Sequence, residues 1–166
     1  MKTAAKVLFI SLGIFLVLSI GFQAASTFTN GWIVCATSSS GIVPWDDNTP
    51  ENIKTAAIML VTSLGLSGLT LLCYGVLGVV ILMKLHRAIP IGIVFLIMIL
   101  LAAQLCLTIM AYIFVQVSID LWNKKGLGQC GLGYSAYFYW PFVALSMAIY
   151  VVIVVFHWIR TAINNK

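Results

Sequence analysis

Charge is what this sequence has least of. Of its 166 residues only 8% are charged, nine Lys or Arg and four Asp or Glu. A soluble domain carries about 25%. The chain cannot cover a globular surface with charge, so lipid must be much of its solvent. Histidine is nearly missing too. His86 and His157 each lie near Lys or Arg, with no other ligand at metal-like spacing, and read as solvated interface residues. No nucleophile–base pair stands out, and no Asp, Glu, Lys or Arg interrupts the long apolar runs. Intramembrane charge is the usual mark of transport. These absences argue against an enzyme or a transporter, and no cofactor is expected. The net charge of +5 is carried by residues flanking the runs and gives no nucleic-acid signal.

What is present is hydrocarbon. The chain is 62% hydrophobic, with a mean hydropathy of +1.10. Four apolar runs cover residues 7–28, 55–83, 89–117 and 134–158. A spanning helix needs about 20 apolar residues. The predicted fold is therefore an all-α membrane protein, a single four-helix domain over residues 1–166 with outer loops at 29–54 and 118–133. Runs two and three are long enough to require tilt or extension beyond the bilayer. Alternating segments of about 10 residues, the sign of a membrane β-barrel, are not the pattern here. Lys2 and Lys6, an apolar core and then Gln23-Ala24-Ala25 could pass for a cleavable signal peptide. A retained first helix, acting as a signal anchor, is the preferred reading.

Basic residues set the orientation. Lys2, Lys6, Lys84, Arg87, Arg160 and Lys166 fall on one side of the four runs, and Lys54, Lys124 and Lys125 on the other, six against three. The richer side is cytoplasmic, which puts both termini inside and predicts a multi-pass plasma-membrane protein. The acids Asp46, Asp47, Glu51 and Asp120 all fall outside.

Cysteine is sparse, and its placement excludes several classes. Cys35 and Cys130 are each the only cysteine of their outer loop, in a compartment where disulfides persist. A Cys35–Cys130 bridge is the preferred reading, with two free thiols or an intermolecular bridge as alternatives. Cys73 and Cys106 fall in opposite halves of the membrane and read as small packing residues. No Cys-x-x-Cys supports a membrane thiol oxidoreductase. One cysteine per loop does not fit connexin-like channels, and the short second loop lacks the Cys-Cys-Gly of tetraspanins.

Two segments carry a resemblance. The first outer loop begins Gly31-Trp32-Ile33-Val34-Cys35, similar to the Gly-Leu-Trp-x-x-Cys signature of the claudin superfamily. That group includes the peripheral myelin and epithelial membrane proteins and the calcium-channel gamma subunits. The fourth run opens Gly133-Tyr134-Ser135-Ala136-Tyr137-Phe138-Tyr139-Trp140, similar to the Gly-Tyr-Ser-x-Tyr…Trp stretch at the same place in that family. Topology and the minimal cytoplasmic turn agree over the whole chain. The family pairs two cysteines within loop one, whereas here Cys35 stands alone and Val43-Pro44-Trp45 lies where a second would fall. The resemblance implies a left-handed four-helix bundle with a small extracellular β-structure built from loop one. Ile33, Val34, Ile42 and Val43 suit its strands. Trp32 would pack beside the disulfide, or serve only as an interfacial anchor.

Further residues invite two readings each. Gly65, Gly68, Gly75 and Gly78 share one face of the second run, and small residues allow close helix approach. Packing inside the bundle is the plainer use, and docking onto a partner's helix the sharper one. Gln104, near mid-bilayer, is expected to bond to another helix, because an unpaired amide is costly there. Asp46, Asp47 and Glu51 could contact a basic patch on a partner. Equally, they could belong to a polar loop that ends in the cap of the second helix, around Thr49-Pro50-Glu51. The resemblance implies an auxiliary subunit of an ion channel or receptor as the first functional expectation. Cell–cell adhesion or barrier formation, with self-association, is the alternative.

Overall fold

A computed structural model describes residues 3–35, 38–43, 49–83, 88–126 and 129–164. Among these residues are four long helices, α1 (Thr3–Phe28), α2 (Glu51–Leu82), α3 (Ala88–Lys124) and α4 (Tyr134–Asn164). Three short strands join them, β1 (Ile33–Cys35), β2 (Ser38–Ser40) and β3 (Cys130–Leu132). Each helix is long and apolar enough to cross a membrane. Inside hydrocarbon only a helix or a closed barrel satisfies every backbone group, and these continuous apolar runs take the helical solution.

The helices outrun the expected apolar spans. α2 starts at Glu51, directly after Pro50, and α3 continues to Lys124. At 1.5 Å per residue, 37 residues of α3 extend about 55 Å, against a hydrocarbon thickness of about 30 Å. The expected second outer loop, 118–133, is therefore corrected to a much shorter connection, because two further helical turns precede it. The reason is tertiary. Ile119 is buried and Trp122 half-buried against the same core that receives Ile53 and Ala56 from the start of α2. A fall in hydropathy does not end a helix that still has something to pack against.

The helices form a ring in which α2 packs on α3, α1 on α4, α1 on α2 and α3 on α4. The sheet caps one end, with strand order β2-β1-β3 and both pairs antiparallel. It is not built from loop one alone, as expected: β3 comes from the segment before α4. Ile33 and Val34 are strand residues, but Ile42 and Val43 are not. Ile42 instead turns fully into the core beneath the sheet.

Two apolar clusters fill the ring. One lies at the sheet end around Trp32, Ile33, Leu60, Val115 and Tyr139. The other lies toward the far end around Leu16, Tyr74, Leu101 and Ile149. Between them every helix contributes a buried polar side chain: Ser19 and Gln23, Ser63 and Ser67, Gln104 and Thr108, and Ser146. Outward faces carry Phe15, Leu72, Phe95 and Val151, exposed to lipid. The amphipathicity of a soluble bundle is thus largely inverted at mid-depth.

Candidate interaction module at the sheet end

The sheet end is built by sewing the exit of α1 onto the start of α4. Thr29 Oγ1 lies 2.6 Å from Ser135 Oγ, and the Gly31 N–H donates to Ser135 Oγ at 3.0 Å. Backbone bonds run from Ser135 N–H to Gly31 O at 3.1 Å and from Gly133 N–H to Trp32 O at 2.9 Å. This closeness leaves no free space for a Cβ at two glycines. A Cβ on Gly133 would sit 2.1 Å from the Gly31 carbonyl oxygen, and one on Gly31 would sit 2.2 Å from the Tyr134 ring.

Trp32 is 0% exposed. Its indole N–H donates to the Ser26 carbonyl, near the α1 terminus, where carbonyls lack helical partners. Its ring meets Tyr139 edge-on at 6.3 Å. Between the two earlier readings of Trp32, this is the packed one. Cys35 and Cys130 are register partners of β1 and β3 and form a disulfide, with their Cα atoms 4.1 Å apart. Both pack against the cluster that contains Trp32.

Two features of the module were not visible in the residue pattern. Asn123, in the last turn of α3, donates from Nδ2 to Cys130 O at 2.9 Å and accepts from Cys130 N–H at 2.8 Å. It stands in for an extra strand on the outer edge of β3. Tyr139 is buried, stacks on Tyr112 at 5.3 Å and meets Trp140 at 5.7 Å, joining α3 to α4 beneath the sheet. A side-chain amide spaced seven residues before a cysteine is the only sequence signal for the first, and it is a weak one.

The other expected site residues divide. Tyr134, Tyr137 and Trp140 are exposed, Tyr137 at 69%, and form an aromatic rim at the sheet end of α4. Amphipathic rings favour the headgroup level. Gly65, Gly68 and Gly75 meet nothing within 4 Å at the position of a Cβ, so the expected packing of these three inside the bundle is corrected. Their face is turned to lipid, where Leu72 is 69% exposed. Of the four only Gly78 faces a neighbour, the Phe9 ring, which a Cβ there would meet at 3.2 Å. Glu51 opens α2, where an acid suits the helix dipole, and lies 3.8 Å from Lys54. Asp46 and Asp47 lie outside the described residues, as do Pro44, Trp45 and His86. Cys73 and Cys106 are free thiols, and Cys106 is exposed on the lipid-facing surface.

A family model described as "Tight junction protein, Claudin-like" matches residues 1–165. The chain belongs to the claudin-like tight junction protein family. That family is one of non-enzymatic, multi-pass membrane proteins, consistent with four spans and a disulfide-tied sheet. No curated protein matches the chain. Among the described residues no group of His, Cys, Asp or Glu could hold a metal ion. In this claudin-like chain the signature positions Gly31, Trp32, Cys35, Gly133 and Ser135 are all spent on assembling the module, leaving Tyr137 and Trp140 to face outward.

Proposed function

We propose that this protein is a cell–cell adhesion or barrier component of the plasma membrane, with both termini in the cytoplasm and the sheet end facing the neighbouring cell. The single observation that carries this reading is the claudin-like tight junction match over residues 1–165. The geometry supports it: a disulfide-clamped sheet rides on helices that extend past the bilayer, presenting a rigid polar surface at β2, Ser38–Ser40. The six-to-three distribution of Lys and Arg supports the orientation. This reverses the earlier order, in which an auxiliary channel or receptor subunit came first. One observation still favours that second reading. The open Gly65, Gly68 and Gly75 face of α2 would admit a partner's helix within the membrane.

Purification of the tagged protein from its tissue in mild detergent, followed by mass spectrometry, separates the two. Recovery of the protein with itself and other junction proteins is the expected result. A stoichiometric channel or receptor subunit in its place would overturn the adhesion reading.

A further inference from the structure

The mid-membrane polar belt is a connected chain with one gap. Gln23 Nε2 donates to Ser63 Oγ at 2.8 Å, Ser63 Oγ lies 2.7 Å from Thr108 Oγ1, and Thr108 Oγ1 donates to the Gln104 carbonyl at 2.6 Å. Ser67 Oγ closes on Gln23 Oε1, while Ser19 and Ser146 pair at 2.8 Å on the other side of the ring. The expectation that the Gln104 side chain bonds to another helix is not met; Gln23 plays that part. The Gln104 amide is 0% exposed, yet neither its Nε2 nor its Oε1 has a hydrogen-bond partner. It lies between two apolar clusters, at the depth where an orphaned amide is costliest. A second protein cannot reach it, and lipid offers it nothing.

We infer that Gln104 marks an internal water site, one or two water molecules held inside the bundle and bonded to its amide. Buried water makes about three hydrogen bonds to groups otherwise unsatisfied. A glutamine amide offers two donors and an acceptor, and the serine and threonine hydroxyls at the same depth have lone pairs to spare. The bundle centre is thus wet at one level and dry above and below it.

Radiolytic hydroxyl footprinting of the purified full chain in lipid nanodiscs tests this, because radicals born from internal water oxidise the side chains beside it. Leu105 adjoins Gln104 on α3, is buried from bulk solvent and belongs to neither apolar cluster. It is expected to be modified in the wild type, while Leu60 and Leu16, buried in the apolar clusters, are spared. In Gln104→Leu, or in Gln104→Met should the first not fold, modification of Leu105 is lost. Wild-type Leu105 as unreactive as Leu60, or modification that persists in the folded variant, would overturn the site.

Discussion

Cys35 and Cys130 are 95 residues apart in the chain and directly opposed across β1 and β3. The bridge ties the strand after α1 to the segment that launches α4, so it closes a loop containing two whole spanning helices. Closing so long a loop restricts the unfolded chain strongly, and such bridges contribute about 2–5 kcal/mol. Cys35→Ser and Cys130→Ser should each lower the unfolding temperature in detergent and abolish the mobility difference between reduced and non-reduced gels. Equal loss in the double variant and in each single variant is expected, since either substitution removes the whole bridge.

The two glycines of the knot are not equivalent. Gly133→Ala drives a methyl into the Gly31 backbone, which can yield only by separating α1 from α4. Gly31→Ala meets the ring of Tyr134, an exposed side chain free to swing away. Overpacking costs of about 3 kcal/mol for Gly133→Ala and about 1 kcal/mol for Gly31→Ala follow. Thermal unfolding of the two purified variants checks the order. Equal effects would contradict the knot geometry.

Gln23 joins α1 to α2 through Ser63 and Ser67, and Ser63 passes the chain on to Thr108 of α3. Gln23→Leu keeps the volume but leaves Ser67 without its amide acceptor and Ser63 without its amide donor. A destabilisation of about 1–2 kcal/mol is expected, larger than the roughly 0.6 kcal/mol typical of a single interhelical hydrogen bond in a membrane. Ser146→Ala, which removes one isolated pair with Ser19, should show only that smaller effect. Denaturant titration of both variants in the same detergent gives the comparison.

Asn123 protects one particular amide. The Cys130 N–H points at its Oδ1 rather than at β1. In Asn123→Ala this amide should exchange with deuterium much faster, while the amides paired between β1 and β3 keep their protection. The stability cost should be about 1 kcal/mol, because the site is exposed and water can replace the lost bonds. Unchanged protection at Cys130 would contradict the clamp.

Much of this fold was legible from hydropathy alone. Four uninterrupted apolar runs leave the backbone no option but four helices, and Cys35 and Cys130 had few partners to choose from. Helix ends were less legible. Pro50 marked the start of α2, and Lys124-Lys125-Gly126, with Gly126 at φ 70°, is a local stop signal for α3; the drop in hydropathy before it hid the last turns, which Ile119 and Trp122 hold by packing against a sheet. Third-strand residues Cys130–Leu132 are too short and glycine-containing to read as a strand. Gln104 was singled out for a bond to another helix, but Gln23, lying in a stretch that mimics a signal-peptide end, was the glutamine that bonds across helices. A single sequence shows that a polar side chain lies within the membrane, not which one finds a partner.

The central functional reading is adhesion across cell contacts. Its most direct test is a mixed culture of adhesion-deficient cells, half expressing the protein with a fluorescent cytoplasmic tag and half not. The account predicts enrichment at contacts between two expressing cells, and loss of that enrichment in Cys35→Ser molecules that still reach the surface. Uniform surface distribution, with no difference between expressing and mixed contacts, would contradict it.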